Sequence, residues 1–353
     1  MVRSDLSLPI VVALLLGAGL LTLSTAAPSD EFVRQLVFVG VSVVACAGIL
    51  WLGRARIVRW AYPLYWLSVF LVFITRFLGT EVNGAKSWLY LGPLPGFQPS
   101  ELAKLSLIVA LAVALHERPF NSFISYLRPG LLVALPAGLV LLEPDLGSAL
   151  VLTAIGGGLI LTRGVPWRHL LVFAILIGIA VPTLVIPNLQ PHQQARLVSF
   201  LNPAADPQGS GYQVIQSTIA VGSGGLLGKG YKQGTQSQLG FIPFRHTDFI
   251  FPVLAEEGGF IAAVTLLALY GLLFWRLVAL AAECPFERDQ FIIVGALIHV
   301  GFQVVVNVGV TLGLAPVTGI TLPLVSYGGT SLLSTMMVLA LAYVAHRDRY
   351  GDW

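Results

Sequence analysis

Charged residues are scarce in this chain of 353 residues: only 10% are Asp, Glu, Lys or Arg, whereas a soluble domain has about 25%. A water-soluble globule with so few charges could not cover its surface. The composition therefore argues against a soluble enzyme, a disordered chain and a nucleic-acid binder. The net charge of +3 is small and gives no indication of nucleic acid as a partner.

Cysteine is nearly absent, with two residues in the whole chain. Cys46 lies inside an apolar run, Cys284 lies in a charged connection, and no CxxC pattern occurs. The spacing therefore predicts neither a disulfide pair nor a cysteine metal site.

Apolar residues are abundant, since 56% of the chain is hydrophobic. A membrane-spanning helix needs about 20 predominantly apolar residues. Many of the 37 Gly and 21 Pro lie inside apolar stretches, as is common in membrane helices. Ten apolar runs are present, at about 7–26, 33–52, 57–77, 102–116, 130–142, 147–163, 168–187, 249–275, 291–312 and 323–345.

These runs predict an all-α, polytopic membrane protein with about ten transmembrane helices. We expect a single integral membrane domain over residues 1–353. One connection, about 188–248, is far longer than the others, and it predicts one large extracytoplasmic loop.

The basic residues predict the orientation, because cytoplasmic connections carry an excess of Lys and Arg. With the N-terminus inside, the short outer connections hold only Arg34, Arg76 and Lys86, with Lys104 just inside the next helix. Both termini are then cytoplasmic. The inner segments carry Arg3, Arg54, Arg56, Arg59, Arg118, Arg128, Arg163, Arg168, Arg276, Arg288, Arg347 and Arg349.

The polar and glycine-rich sequence falls in the outer connections, 78–101, 143–146, 188–248 and 313–322. Unusual connections of this kind commonly carry function. We therefore expect the active site on the extracytoplasmic side. Because no nucleotide is available there, an energy-rich donor must come with the membrane or from the medium.

The long connection contains two features of interest. Residues 211–220 have helical spacing and predict a short interfacial helix. The string GSGGLLGKG at 222–230 has closely spaced glycines, which let backbone N–H groups approach an anion, and Lys229 and Lys232 add positive charge. A flexible loop explains the same composition equally well.

Asp248 follows Arg245 and His246 at the point where the long connection enters the eighth span. Partial desolvation there would raise its pKa and make it a better base. The alternative is a helix N-cap. Glu256 lies deeper in the same span and is more nearly on the face of Asp248 than Glu257 is; structural hydrogen bonding between helices is the alternative role for this pair.

Two further outer segments carry paired charges. In 83–104, Ser100 fits the N-cap of the fourth span, and Glu101 and Lys104 are spaced to form an ion pair. At the hairpin Glu143-Pro144-Asp145, the two carboxylates could hold a divalent cation with a phosphate, or cap the next helix; we favour capping.

Together these residues predict an outward cavity with basic groups for an anionic headgroup and one well-placed carboxylate. Two classes stay open from the residues alone: a membrane enzyme that acts on an anionic lipid, and a transporter of one. The cavity residues are Asp248, Glu256, Glu101, Lys104, Lys86, Arg196, Glu143 and Asp145.

Several strings, in this order, resemble the SEDS family of shape, elongation, division and sporulation proteins, from about residue 50 to 345. The string RHTDFIF is more similar to the elongation branch than to the division branch, which usually has EAHTDFIF. The matching strings are GAKSWL, FQPSELAK, EPDLGSAL, FLNPAADPQGSGYQVIQS, GSGGLLGKG, RHTDFIFPVLAEE and LPLVSYGGTS.

The resemblance implies a peptidoglycan glycosyltransferase in the bacterial cytoplasmic membrane that polymerises lipid II and works with a class B penicillin-binding protein. Asp248 matches the essential Asp of the family and would be the general base, with undecaprenyl diphosphate as the leaving group. A lipid II flippase is the alternative. The substrate-binding residues would be Lys104, Glu101, Arg196, Lys229, Lys86, His246 and Glu256.

The charge of the leaving group would be stabilised by Lys104, Arg196 or Lys229, or by a divalent cation, Mg²⁺ or Mn²⁺, near Asp248 or Glu101. The ligands of such a cation are not assigned. Two positions depart from the family pattern: Gly240 and Phe244 stand where members often have acidic residues. Any auxiliary role of those acids does not transfer to this chain.

Overall fold

The structure, a computed structural model, describes residues 6–82, 85–90, 96–117, 123–202 and 209–349. Over these residues the chain forms thirteen α-helices and one short hairpin of two strands. The helices are α1 Ser7–Ala26, α2 Ser29–Arg59, α3 Ala61–Leu78, α4 Pro99–Glu117, α5 Leu127–Leu142, α6 Leu146–Thr162, α7 Trp167–Ala180, α8 Pro191–Leu201, α9 Ser210–Ser223, α10 Thr235–Gln238, α11 Ile250–Glu283, α12 Glu287–Thr311 and α13 Gly329–Arg347.

The predicted fold class is confirmed. Within the described ranges, nine helical segments are long and apolar enough to cross a membrane, and α6 is a tenth apolar helix of 17 residues. All ten coincide with the apolar runs of the sequence. The departure from an all-helical chain is the antiparallel hairpin β1 Thr80–Val82 and β2 Ala85–Trp88, which follows α3.

The segment 188–248, predicted as one large extracytoplasmic loop, is largely helical in its described part. It contains α8, α9 and α10, and α9 includes the predicted helix at 211–220. The helices form because the segment carries apolar residues at helical spacing, and the packing of Ala220 against Phe249 and Val310 buries one face of α9.

Helix α11 is broken at Gly259, whose φ of 70° and ψ of −168° are not helical. The break removes two helical hydrogen bonds, and residues 225–230 replace them. The backbone N–H groups of Lys229 and Gly230 donate to Glu256 O and Glu257 O, both at 3.0 Å. Phe260 N donates to Gly225 O at 2.9 Å and Ile261 N to Leu226 O at 3.2 Å.

This close backbone approach explains the glycines of 222–230. A Cβ atom at Gly228 would lie 2.1 Å from Glu257 O, so only glycine fits there. The glycine-rich string therefore completes a membrane helix, whatever else it binds.

The chain divides into two compact units. Unit 1 comprises 1–51, 195–280 and 300–343, and its apolar cluster of Ile242, Phe249 and Val317 packs immediately beside Asp248. Unit 2 comprises 52–194, 281–299 and 344–353, and α4 is its most deeply buried span. The expectation of a single integral membrane domain stays a prediction.

Candidate active site

The backbone around Asp248 is held by three successive hydrogen bonds within unit 1. Tyr327 N donates to His246 O at 2.8 Å, Ser326 Oγ donates to Thr247 O at 2.5 Å, and Asn307 Nδ2 donates to Asp248 O at 2.8 Å. The donors come from α12 and from the polar stretch before α13. These hydrogen bonds therefore hold the main chain of Asp248 in position.

The carboxylate of Asp248 has very different surroundings from its backbone. Within the described part of the chain, no group donates a hydrogen bond to it. The residue is half-buried, and a Cβ atom at the exposed Gly319 would lie 3.9 Å from Asp248 Oδ2. Burial raises the pKa of Asp248 to about 6, and the Arg196 guanidinium on α8 partly opposes this rise. A carboxylate of this kind is suited to accept a proton near neutral pH.

The imidazole of His246 contacts the carboxylate of Glu31 on α2. Its Nε2 lies 3.2 Å from Glu31 Oε2, and its ring contacts the Tyr327 ring edge to face. Burial lowers the pKa of His246, with Glu31 opposing the change. Arg245 Nε donates to Ala26 O at 3.0 Å, which ties the same segment to the end of α1. These contacts anchor the segment that carries Asp248.

Glu256 is fully buried and accepts four hydrogen bonds. Lys229 Nζ donates at 2.7 Å, Thr235 Oγ1 at 3.2 Å, Gln236 N at 2.8 Å and Ser237 N at 2.9 Å. The carboxylate thus holds the residues after the glycine-rich string against α11. The substrate-binding roles of Glu256 and Lys229 stay predictions, and these contacts favour the structural alternative.

In unit 2, the predicted pair of Glu101 and Lys104 is confirmed, with Lys104 Nζ 2.8 Å from Glu101 Oε1 and both side chains buried. The prediction for Ser100 was wrong: α4 begins at Pro99, and Ser100 Oγ contacts Ser148 Oγ at 3.5 Å instead of capping the helix. Proline is preferred in the first helical turn because its missing N–H is not needed there.

The hairpin between α5 and α6 shows the predicted capping. Asp145 Oδ1 accepts from Ser148 N at 2.9 Å at the start of α6. Asp145 Oδ2 accepts from Gln98 Nε2 at 2.9 Å. Glu143 is buried, and its Oε1 has no partner among the described residues. Burial, reinforced by Asp145, raises the pKa of Glu143 to about 8.

Lys86 is exposed on β2, where it borders a polar pocket of about 390 Å³ in unit 2. The other residues around this pocket are Arg76, Glu81, Pro144 and Gln190. The side chains of Arg76 and Lys86 offer two positive charges to an anionic group in this pocket. Arg76 was not among the candidate site residues predicted from the sequence.

The predicted residues therefore fall into two sets. Unit 1 holds Asp248, Arg196, His246, Lys229 and Glu256, and of these Arg196 acts electrostatically on Asp248. Unit 2 holds Lys86, Glu101 and Lys104. The cavity that would join the two sets stays a prediction.

Sequence reasoning did not assign Asn307 a role beside Asp248, because no spacing rule connects these two residues. The departure at Gly240 has a structural reason, since its φ of 78° favours glycine. Arg3, Arg118, residues 91–95 and the part of the matching string at 203–208 lie outside the described residues.

Comparison with known proteins gives a consistent result. The model of the family FTSW_RODA_SPOVE, described as "Cell cycle protein", matches residues 6–351. The peptidoglycan glycosyltransferase MrdB of Escherichia coli (strain K12) is 38% identical over 291 residues, which are 82% of this chain and 78% of MrdB.

Solved structures match over the whole chain. One, described as "Structural coordination of polymerization and crosslinking by a peptidoglycan synthase complex", has a TM-score of 0.87 and 47% identity and covers 100% of both chains. The crystal structure of the rod shape determining protein RodA of Thermus thermophilus has a TM-score of 0.77 and 41% identity and covers 99% of both chains.

Proposed function

The chain belongs to the FtsW, RodA and SpoVE family of cell cycle proteins, and from that membership we propose that it polymerises lipid II into glycan strands, with Asp248 as the general base. Its relatives carry the name peptidoglycan glycosyltransferase, and this chain is an enzyme of that class. The string RHTDFIF and the likeness to RodA support a role in cell elongation over the FtsW role in division.

The arrangement of Asp248 is the observation that carries this proposal. Its main chain is held by Asn307 and by the neighbouring contacts of Ser326 and Tyr327. Its carboxylate has a pKa raised to about 6 and no hydrogen-bond donor among the described residues. A fixed carboxylate with unused lone pairs is suited to take a proton from a substrate hydroxyl.

In the proposed reaction, Asp248 takes the proton from the 4-hydroxyl of the acceptor N-acetylglucosamine. That oxygen attacks the anomeric carbon of N-acetylmuramic acid in the second lipid, and the bond to undecaprenyl diphosphate breaks. One displacement inverts the α-linked donor to a β-1,4 product. No general acid is required, because a diphosphate leaves as an anion.

The diphosphate needs positive charge to stabilise it. Arg196 is the predicted cation that acts on Asp248, so it is the first candidate in unit 1. Lys229 and Lys104 each have a carboxylate partner at 2.7 and 2.8 Å, in Glu256 and Glu101, which reduces the charge they offer. The roles of all three stay proposals.

A divalent cation, Mg²⁺ or Mn²⁺, would supply further charge neutralisation on the diphosphate when bound. Within the described part of the chain, no cluster of three or more His, Cys, Asp or Glu is present. Glu101, one predicted neighbour of the ion, is paired with Lys104. The donor set therefore does not fit a dedicated protein metal site, and no step above depends on a metal.

We further propose that the protein works in the bacterial cytoplasmic membrane with a class B penicillin-binding protein. A solved relative belongs to a peptidoglycan synthase complex that couples polymerization to crosslinking, which supports such a partner. The distribution of Lys and Arg supports cytoplasmic termini and an extracytoplasmic active site.

The test uses purified protein with lipid II in detergent, where no membrane separates two sides. We expect the wild type to form glycan chains and Asp248→Asn to lose at least about 100-fold in rate, because the amide cannot accept the proton. Gel filtration and thermal melting would establish that the variant is folded. Wild-type turnover by Asp248→Asn would contradict the assignment.

The flippase alternative makes the opposite prediction in the same assay. A flippase would yield no glycan chains from lipid II in detergent, although it would move lipid II across vesicle membranes. That pair of results would replace the glycosyltransferase proposal.

A further inference from the structure

Asp248 lies just before helix α11, whose first residue is Ile250. The first carbonyl that accepts a helical hydrogen bond is that of the N-cap residue, Phe249, so the carbonyl of Asp248 receives none from α11. The N–H of residue 252 cannot supply one either, because this residue is proline. The carbonyl therefore needs a donor from outside the helix.

Asn307 supplies this donor from α12. Its Nδ2 donates to Asp248 O at 2.8 Å and to Ile320 O at 2.8 Å, so a single amide connects the proposed base to the polar stretch beside it. Both neighbours of Nδ2 are carbonyl oxygens, which fixes the orientation of the amide, because the reverse orientation would set oxygen against oxygen.

Packing alone does not account for an asparagine at this position. Asn307 is buried, and its Oδ1 has no partner among the described residues. A buried unsatisfied acceptor costs about 1–3 kcal/mol, and leucine, of similar size, would avoid that cost. The two bonds from Nδ2 are what the amide contributes.

We propose that Asn307 is a positioning residue for glycosyl transfer, which donates the hydrogen bond that α11 does not give to the carbonyl of Asp248 and thereby holds Asp248 in its reactive place. The inference rests on the proposed function of Asp248 and adds a second residue to it. Ser326, which donates to Thr247 O, supports the same segment one residue earlier.

The principal test is Asn307→Leu in the purified full-length protein, with lipid II polymerisation measured from about pH 5 to 8. We expect kcat to fall about 10- to 100-fold, because displacements of about 1 Å have effects of this size. We also expect the acid limb of the rate to move to lower pH, since a displaced Asp248 would be more exposed to water. Arg196, the charge that acts on Asp248, is unchanged in the variant.

The shift of the acid limb is the sharpest measurement, because a loss of folded protein alone would lower the yield and leave the pH profile unchanged. If Asn307→Leu folds poorly, Ser326→Ala makes a smaller change, and it should shift the acid limb in the same direction.

Ser217→Ala is the matched control. Ser217 is buried in unit 1 and donates to Thr311 O at 2.6 Å at the end of α12, away from Asp248. Its loss should leave kcat per folded molecule and the acid limb as in the wild type.

Two results would overturn the inference: wild-type kcat and acid limb in Asn307→Leu, or a loss of kcat in which the acid limb stays at the wild-type pH. The outcome is separable from that of the proposed function. If Asp248→Asn keeps its turnover, the proposed base fails; if Asp248→Asn is inactive and Asn307→Leu is fully active, only the inference fails.

Discussion

Asp248 and Glu256 lie close together in the sequence and in the same unit, yet their carboxylates have opposite surroundings. Glu256 is fully buried and accepts hydrogen bonds from Lys229, Thr235 and two backbone N–H groups. Asp248 is half-buried, its main chain is held firmly, and its carboxylate has no donor among the described residues.

The difference separates a carboxylate that stabilises structure from one that is available for chemistry. Each hydrogen bond to a charged carboxylate occupies a lone pair and stabilises the anion, so a saturated carboxylate is a poor proton acceptor. An unsatisfied carboxylate is costly to the fold and correspondingly reactive. Burial alone would indicate Glu256 as the proton acceptor, whereas the absence, among the described residues, of hydrogen-bond donors to its carboxylate indicates Asp248.

The largest effect is expected from Glu256→Ala, which leaves Lys229 and the start of α10 without their common acceptor. Removing one partner of a buried ion pair costs about 3–5 kcal/mol, so the melting temperature in detergent should fall strongly. The control is Glu117→Ala, which removes an exposed ion pair with Arg128 and should cost at most about 1 kcal/mol. Equal melting of the two variants would refute the structural role of Glu256.

The next largest effect is the pH dependence of the polymerisation rate, which distinguishes Asp248, the proposed base, from Glu256. Because the pKa of Asp248 is raised to about 6 and the base must be ionised, the rate should be constant above that pH. Below pH 6 it should fall about tenfold per pH unit. Initial rates of lipid II polymerisation across this range would measure it. A rate that stays constant down to pH 4 would exclude Asp248 as the titrating base.

The smallest effect concerns thermal stability. The pKa of Asp248 is raised from 3.8 to about 6, so the folded protein holds a proton more tightly than the unfolded chain between these values. Stability from this group therefore falls as pH rises through that window, and the deficit is complete above it. Asp248→Asn should melt at a slightly higher temperature than the wild type above pH 6.

This advantage of Asp248→Asn should disappear below about pH 4, where Asp248 is protonated in both states. Melting curves of the two proteins at several pH values would measure the difference. A variant that melts lower than the wild type above pH 6 would show that the carboxylate stabilises the fold, as that of Glu256 does.

The sequence was sufficient for features that depend on neighbouring residues. Apolar runs predicted the spans, spacing predicted the pair of Glu101 and Lys104, and the preference of Asp for helix starts predicted the cap at Asp145. The cap at Ser100 was wrong because Pro99 already begins the helix. Local rules succeed where local interactions decide the structure.

Contacts between distant parts of the chain could not be predicted in this way. The bonds of Glu256 to residues 229–237 and of Asn307 to Asp248 join segments that no spacing rule connects. The sequence places Asp248 at the start of a span, but it does not show which residue donates to its carbonyl. The same limit applies to the glycine-rich string, whose partner in α11 is visible only in the fold.

The break at Gly259 has a consequence for biogenesis. In lipid, each unsatisfied backbone group costs several kcal/mol, and the break leaves Glu256 O, Glu257 O, Phe260 N and Ile261 N without partners in their own helix. Residues 225–230 satisfy all four, and the ribosome makes them before α11. The partner for these four backbone groups is therefore already synthesised when α11 is inserted into the membrane.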